Sequence, residues 1–329
     1  MIILGIETSC DETSVGIIEN DKILINLIYT QEQHRKFGGV VPELASRAHL
    51  QNLLPLVRQS LKETGIKLKD LDLISATAGP GLIGALIVGY CFGKSLSYSL
   101  KKNFIPVNHV HAHLYSTFLS DKKPEFPFLA LLVSGGNTAL YLIKDFFQME
   151  LLGSTVDDAA GEAFDKVGKL LGLNYPAGSE IEKLASLGDE NFYDFPVAKL
   201  NEKYNFSFSG LKTSVLRFIQ KNYPDGLNDE TKRNIAASFQ RALTKALIQK
   251  VEIACDEFKL SDAVVVGGVA ANTYLRIKMR ERLHPKNCMV YHPELNLCMD
   301  NGAMIAFAGL KSFESGYFKT NSITKPFPN

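Results

Sequence analysis

The stretch LGIETSCDETSVGII, residues 4–18, has the same pattern of apolar and polar residues as LALLVSGGNTALYLI, residues 129–143. The two copies align without a gap, and their apolar positions agree. Each copy is typical of a strand, a tight polar turn and a second strand. The register continues into a third apolar run, so each copy predicts a three-stranded antiparallel ribbon. We infer a duplication of one folding unit, because these polar residues fall on each other: Ser9 on Ser134, Thr13 on Thr138 and Thr30 on Thr155.

A second pair of segments follows the repeat. Residues 73–93, LISATAGPGLIGALIVGYCFG, and residues 263–283, AVVVGGVAANTYLRIKMRERL, both predict a buried strand, a glycine loop and a helix. Such a loop presents backbone N–H groups and a helix N-terminus at the end of a strand, an arrangement that suits phosphate. Many strand–helix turns use glycine for geometry alone. Two such loops, each after a hairpin copy, favour nucleotide binding.

The fold class that follows is α/β, with two tandem actin-like domains and a nucleotide-binding cleft between them. The charged, proline-containing segment SDKKPEFP, 120–127, indicates the boundary. We therefore expect a first domain over 1–124, a second over 125–298, and a C-terminal helical segment, about 299–329, that packs back onto the first. Helices are predicted at 45–62, 111–119, 157–171, 178–187, 229–258 and 299–313.

Composition excludes several classes of protein. The 329 residues carry a formal net charge of +1, with 46% hydrophobic and 22% charged residues, as in ordinary globular proteins and unlike strongly basic nucleic-acid binders. The five cysteines form no CxxC pair, so a reducing compartment is expected. Residues 73–93 resemble a membrane span in hydropathy, but Pro80 and the adjacent glycines would interrupt one.

Three of the seven histidines lie in VNHVHAHLYS, residues 107–116. In a strand, all three side chains would share one face. In a helix, His109 and His113 would lie one above the other and His111 would point away. A packed histidine without a ligand is a further alternative, and spacing alone leaves these alternatives open.

Taken together, the motifs GIETSCDETSVGI, GPGLIGALIVG, LLVSGGNT, DDAAGEAFDKVGKLLGL, FSFSGLKT, GGVAANTYLR and CMDNGAMIA resemble the TsaD/Kae family, formerly called the O-sialoglycoprotein endopeptidases. The resemblance covers nearly the whole chain in order. It implies transfer of threonylcarbamoyl from threonylcarbamoyl-adenylate to the N6 amine of adenosine 37 in tRNAs that read codons starting with A, with release of AMP. It also implies a cytoplasmic protein that works with a paralogous TsaB-like subunit and a TsaE-like ATPase.

The resemblance further implies site residues. His109, His113 and Asp300 fall on the family's metal ligands. A set of two histidines and one carboxylate suits one Fe(II) per chain, with zinc a close rival. The substrate-binding positions are Leu132, Val133, Ser134, Gly135 and Gly136 for the phosphate and acyl part, and Asp165, Gly178 and Asn272 for the nucleotide. Capping of a helix is the alternative role of Asn272.

Some positions depart from the family pattern. His111 stands where relatives have glutamate, and Asn137 stands where they have histidine, so a role in proton transfer at position 137 is in doubt. Asp11 and Glu12 lie in the first hairpin turn and receive no assigned role. A small-molecule kinase of the same fold and a non-catalytic partner subunit are the alternative functions. A metallopeptidase would need a glutamate beside the metal, as in HExxH, and HVHAH has none.

Overall fold

The computed structural model describes residues 1–320 and 325–328. The chain divides into two compact units, which we call the first unit, Met1–Lys123 with Pro293–Asn329, and the second unit, Pro124–His292. The sequence predicted the two boundaries between the domains after residues 124 and 298. Of the predicted C-terminal segment 299–329, residues 321–324 and 329 lie outside the described residues.

The first unit contains a five-stranded mixed sheet in the order β3-β2-β1-β4-β5. The ribbon predicted from residues 4–18 is present, because β1 pairs antiparallel with β2 and β2 with β3. Strands β4 and β5 extend the sheet in parallel from the other side of β1. The strands are Ile2–Glu7 (β1), Glu12–Glu19 (β2), Lys22–Thr30 (β3), Leu73–Gly79 (β4) and Asn103–Asn108 (β5).

Helices cover the two faces of this sheet. The first begins with proline, where a missing N–H costs nothing, and ends at Gly65 with a φ of +71°, which glycine adopts without strain. It therefore begins three residues before the predicted start. The helices of this unit are Pro42–Thr64 (α1), Ile83–Leu100 (α2), His109–Tyr115 (α3), Leu295–Cys298 (α9), Gly302–Glu314 (α10) and Tyr317–Thr320 (α11).

The second unit repeats the arrangement. Its sheet has the order β10-β9-β6-β7-β8. Read from the other end, this order matches the first sheet strand for strand, with β8, β7, β6, β9 and β10 in the places of β3, β2, β1, β4 and β5. Strands β6, β7 and β8 form the second antiparallel ribbon, and β9 and β10 add in parallel. The duplication predicted from the sequence is thus confirmed in the topology. The strands are Phe128–Val133 (β6), Thr138–Asp145 (β7), Gln148–Ser154 (β8), Asp262–Val266 (β9) and Met289–Tyr291 (β10).

One helix of the second unit, α6, was not among the predicted helices. Its sequence buries only Leu211 and Val215, so its apolar stripe is narrow and its periodicity weak. The helix predicted from residue 157 begins later, because the Asp157 side chain instead accepts hydrogen bonds before and at the start of α6. The helices are Ala160–Leu170 (α4), Gly178–Ala185 (α5), Ser209–Asn222 (α6), Asp229–Phe258 (α7) and Thr273–Leu283 (α8).

Within the described residues, α2 is the helix long and apolar enough to cross a membrane, with 33% of its most apolar window buried. Its inner face packs on the sheet, where a side-chain Cβ on Gly89 would meet Thr8 and one on Gly93 would meet Phe104 and Ala76. The helix therefore has a place in the core of the first unit, as the predicted strand–loop–helix segment requires.

Candidate metal centre and glycine loops

The histidine-rich segment is helical over all three of its histidines. The Asn108 side chain accepts hydrogen bonds from the backbone N–H groups of Val110 and His111, so β5 ends and α3 begins at His109. Four residues of helix then place His109 and His113 on one face, with ring centroids 4.6 Å apart. The helical alternative is therefore the one that the chain adopts.

Asp300 lies against both rings. Its Oδ1 is 2.9 Å from His113 Nε2 and 3.5 Å from His109 Nε2. One ligand atom from each of the three residues lies within 4.8 Å of the other two. Both histidines are buried, and Asp300 is partly buried. Two imidazoles and one carboxylate in this arrangement match the donor set of a three-ligand site for a divalent transition metal.

A fully buried carboxylate, Glu7, stands behind the cluster. Its Oε2 is 3.0 Å from His109 Nδ1 and 2.6 Å from the Thr77 hydroxyl, and its Oε1 accepts from the Ser9 backbone N–H. A carboxylate on the second ring nitrogen fixes the tautomer of a ligating histidine and leaves Nε2 directed at the metal. The resemblance did not indicate Glu7. The available signal was an acidic residue closing the otherwise apolar strand IILGIE.

The charges of the cluster support each other. Burial disfavours a charged His109, but Asp300 and Glu7 outweigh burial and raise the pKa of His109 to about 9. Burial likewise disfavours a charged Asp300, but His109 and the hydrogen bond from His113 lower the pKa of Asp300 to about 2. Asp300 is thus an anion at neutral pH, the form in which a carboxylate binds metal.

Close backbone packing of α10 against β1 and β2 places Asp300 next to the histidines. A Cβ on Gly302 would lie 2.1 Å from Gly16 N, and a Cβ on Gly5 would lie 2.1 Å from Gly302 O. Only glycine permits this approach of α10 to β1 and β2. The Ser14 hydroxyl accepts from Gly302 N at 2.8 Å and the Asn301 side chain caps α10, which fixes the residue that follows Asp300.

His111 lies outside the cluster of ligand atoms. Its ring contacts Tyr115 and Tyr317 at centroid distances of 6.3 Å and 6.4 Å. Burial lowers the pKa of His111 to about 4, so its ring is neutral at neutral pH. Of the alternatives open from the sequence, the helical one has His111 pointing away from the other two histidines, and α3 is helical at these residues.

A buried hydrogen-bond chain supports the turn between β1 and β2. The fully buried His49 donates from Nε2 to the Cys10 carbonyl at 2.9 Å, and its Nδ1 is 2.8 Å from the Thr13 hydroxyl. Gln31 continues the chain by accepting from His34 Nε2 at 2.8 Å. Asp11 lies in this turn, and Glu12 follows as the first residue of β2.

Glu12, at the start of β2, has an unusual environment. Burial, with the charges of Asp300 and Asp11, raises the pKa of the Glu12 carboxyl well above its usual range and favours its protonated form. Its strand position leaves the side chain only 6% exposed. The sequence assigned no role to this residue, and its environment alone does not supply one.

In the second unit, the loop after β6 has open backbone groups. Leu132 and Val133 are buried in the strand, Ser134 follows, and Gly135 and Gly136 are exposed with no atom near the place of a Cβ. The glycine loop after β9 contacts this loop, because a Cβ on Gly267 would lie 2.4 Å from Val133 O. The loop that the resemblance assigns to the phosphate and acyl part therefore meets one of the two predicted glycine loops within the second unit.

The nucleotide-contact positions have defined structural partners. Asp165 Oδ1 accepts from Ala177 N at 2.7 Å, and this bond holds the start of α5, where Gly178 is open on the side of a Cβ. Asn272 is engaged at both ends of its amide: Oδ1 caps α8 at Leu275 N, 2.9 Å away, and Nδ2 donates to Gln240 Oε1 at 2.8 Å. Capping, the alternative named from the sequence, is therefore observed.

Comparisons with known proteins agree with this architecture. Residues 22–307 match the family model described as TsaD, tRNA N6-adenosine threonylcarbamoyltransferase. A protein of that name from Thermosipho africanus strain TCF52B is 48% identical over 100% of this chain and 99% of the relative. Another, from Thermodesulfovibrio yellowstonii, is 48% identical over 96% of each chain.

Solved structures show the same fold at low identity. Full-length HypF in a phosphate- and nucleotide-bound form matches 95% of this chain and 46% of its own, with a TM-score of 0.62 and 16% identity. The activator of 2-hydroxyisocaproyl-CoA dehydratase from Clostridium difficile, with bound ADPNP, matches 98% of this chain and 100% of its own, with a TM-score of 0.53 and 12% identity. The tandem actin-like fold predicted from the repeat is confirmed.

Proposed function

This chain belongs to the TsaD family of tRNA N6-adenosine threonylcarbamoyltransferases, and we propose that His109, His113 and Asp300 hold one divalent metal ion that serves this reaction. The chain is an acyltransferase that modifies adenosine in tRNA, as the relatives at 46–49% identity are. Neither a kinase nor a non-catalytic subunit is favoured, because the curated relatives that match the chain over nearly its full length carry the transferase name.

The observation that carries the metal proposal is the buried donor set. Nε2 of His109 is directed at Asp300, because Glu7 occupies Nδ1 of the same ring. We assign Fe(II) as the ion, with zinc as the rival, since two histidines and one carboxylate with open positions suit Fe(II). When bound, such an ion supplies Lewis-acid stabilisation of an oxygen that gains negative charge.

We further propose that the acyl donor is threonylcarbamoyl-adenylate and that the acceptor is adenosine 37. The N6 amine forms a bond to the carbamoyl carbon, the bond from that carbon to the phosphate oxygen breaks, AMP leaves with the electron pair, and the amine releases one proton. The donor is a mixed anhydride and already activated, so positioning and charge stabilisation supply most of the rate.

In this proposal the second unit binds the adenylate. The exposed backbone N–H groups of Gly135 and Gly136 can donate to the phosphate, and Ser134 with the buried Leu132 and Val133 shapes the loop. Asp165 and Gly178 take the nucleoside end. Asn272 acts by fixing the start of α8, because one end of its amide caps that helix and the other end bonds to Gln240.

We propose that the protein works in the cytoplasm with a paralogous TsaB-like subunit and a TsaE-like ATPase. The first unit offers an apolar surface for such a partner, formed by residues of α1 and α2 that are 43–87% exposed: Leu50, Leu54, Ile83, Ile87 and Tyr98. Exposed aliphatic and aromatic side chains on neighbouring helices are typical of a protein interface.

The test of the metal proposal is a metal count on protein loaded with Fe(II) or Zn(II) under anaerobic conditions. We expect about one ion per chain and its loss in His113→Ala, whereas the exposed His284→Ala retains it. The activity is measured separately, as incorporation of labelled threonine into tRNA from synthetic threonylcarbamoyl-adenylate with the partner proteins. Absence of bound metal in the wild-type protein under both loadings overturns the metal assignment and leaves the transferase assignment intact.

A further inference from the structure

Helix α6 of the second unit borders an open groove of about 690 Å³. Two cations, Arg217 and Lys221, line this groove, together with the rings of Tyr193 and Phe218 and the hydroxyls of Ser209 and Thr213. No aspartate or glutamate is among its lining residues. We call it the α6 groove.

The cations of α6 are not neutralised by the protein. The helix carries Lys212, Arg217 and Lys221 and no acidic residue. Within residues 1–320 and 325–328, none of the three forms an ion pair, and the nearby Asp194 is already paired with Arg241 at 3.0 Å. Arg217 and Lys221 are also exposed, so their charge is directed at solvent and open to an anionic ligand.

A second groove in the same unit shows the contrast. Its volume is about 430 Å³, and Arg282 and Lys286 line it beside Glu252 and Asp256. Arg282 lies 2.8 Å from Glu252, and Lys286 lies 3.0 Å from Glu252 and 2.6 Å from Asp256. Carboxylates of the groove thus pair both Arg282 and Lys286, while Lys199 and Lys250 also line it, and no aromatic residue is among its lining residues. Basic residues alone therefore do not distinguish the α6 groove; cations without a carboxylate in the same groove, beside aromatic rings, do.

The aromatic rings of the α6 groove are held in place by each other. Phe218 lies 4.2 Å from Tyr193 and 5.7 Å from Phe195, measured between ring centroids, and it also contacts Phe192 and Tyr223. Tyr193 is nevertheless 39% exposed. A ring that is fixed on one side and open on the other suits stacking of an unpaired base at low entropic cost.

We propose that the α6 groove binds a single-stranded stretch of the tRNA substrate, with Arg217 and Lys221 on phosphates and the Tyr193 ring on an unpaired base. The proposal rests on the transfer to tRNA adenosine described above. RNA fits better than a protein partner, because the groove combines charge of one sign with an exposed ring, the pairing that single-stranded nucleic acid requires. The hydrogen bonds from Ser207, Phe208 and Ser209 to Asp157 fix the start of α6 and hence the position of both cations.

The test is direct binding of a tRNA transcript to the full chain, without acyl donor, over a range of salt concentrations. For the double variant Arg217→Ala/Lys221→Ala we expect a Kd roughly tenfold higher at low salt and a log–log salt slope shallower by about 1.4, from two single-strand phosphate contacts. Tyr193→Leu should weaken binding about fivefold and leave the slope unchanged, since stacking releases no counterions.

The matched control is Arg282→Ala/Lys286→Ala, which removes the same formal charge at two cations that are paired with carboxylates in the second groove, and it should change Kd by less than about twofold. Arg217→Lys should retain most of the affinity, because the charge is kept. An unchanged Kd and slope in the α6 double variant overturns the proposal, as does an equal loss in the control. Unchanged tRNA binding with loss of binding to a partner protein would assign the groove to protein recognition instead.

Two further measurements separate this inference from the metal proposal. Each variant is checked for its unfolding transition and for metal content, and both should equal those of the wild-type protein. Because tRNA binding is read without turnover, a chain that binds no metal still tests the groove. If the double variant unfolds, the exposed pair is replaced by Gln at both positions, and the same outcomes apply.

Discussion

His113 Nε2 lies 2.9 Å from Asp300 Oδ1, although 187 residues separate the two in the chain. The contact exists because α10 returns to the first unit and packs its backbone against β1 and β2. The candidate metal centre therefore depends on two local features, the helical spacing of α3 and the glycine contacts of α10. Each can be perturbed without touching a proposed ligand.

The carboxylate behind the cluster offers the first perturbation. Glu7→Gln keeps an acceptor and the size of the side chain but removes the charge that orients His109. Loss of such a partner typically weakens metal affinity about 10–100-fold, so we expect a Kd for Fe(II) or Zn(II) raised by that factor, measured by competition with a chelator. The exposed Glu19→Gln serves as the control. Equal affinities for all three proteins would show that Glu7 does not support the site.

The glycine contact of α10 offers the second perturbation. In Gly302→Ala the new Cβ would lie 2.1 Å from Gly16 N, and neither backbone can yield cheaply. We expect a loss of about 1–3 kcal/mol in the free energy of unfolding and a lower metal content, because Asp300 moves with the start of α10. The measurements are denaturant unfolding and metal analysis. Gly210→Ala meets no atom within 4 Å and should change stability by less than about 0.5 kcal/mol.

Variants of Asn272 can distinguish a role in capping α8 from direct contact with the acyl donor. Asn272→Ala removes the cap of α8 and leaves the buried Gln240 without its partner, so we expect about 1–3 kcal/mol of destabilisation. Asn272→Ser keeps a capping oxygen and should lose less. Because the Asn272 amide is engaged at both ends, the KM for the acyl donor should stay near the wild-type value in Asn272→Ser. A large rise in that KM at preserved stability would instead place Asn272 in contact with the donor.

The buried His49 predicts a pH dependence of stability. Burial lowers the pKa of His49 from its usual value of 6.5, so the folded protein takes up this proton less readily than the unfolded chain. Unfolding therefore binds a proton just below pH 6.5, and the free energy of unfolding falls as the pH falls through this range. The slope for one proton is at most about 1.4 kcal/mol per pH unit, and it ends below the folded pKa.

The measurement for His49 is a series of urea unfolding curves between pH 7.5 and 5 on metal-free protein. We expect the stability difference between wild type and His49→Gln to shrink towards acid pH, because only the wild type loses the contribution of the neutral ring. The exposed His284→Gln should run parallel to the wild type over the whole range. A constant difference between wild type and His49→Gln would contradict the prediction.

Much of the fold could be predicted from the sequence, because its determinants are local. Matching apolar stretches on both sides of a polar turn in 4–18 and 129–143 predicted both ribbons, and the two sheets confirm them in equivalent order. The order of buried strand, glycine loop and helix in residues 73–93 and 263–283 predicted α2 and α8. Helix α6 was missed, because its apolar stripe is narrow, and the start of α4 was placed too early, because Asp157 bonds to residues about fifty positions away.

The sequence by itself determined which residue types stand at which spacing, and for His109 and His113 that was enough, since helical geometry links residues four apart. For Asp300 the spacing said nothing, and only resemblance to a family indicated it. The tertiary structure decided that Asp300 meets the histidines, that Glu7 orients one of them, and that Asn272 has its amide engaged within the protein. Those relationships arise from packing between segments far apart in the chain, where close backbone approach and the pairing of buried polar groups select the partners.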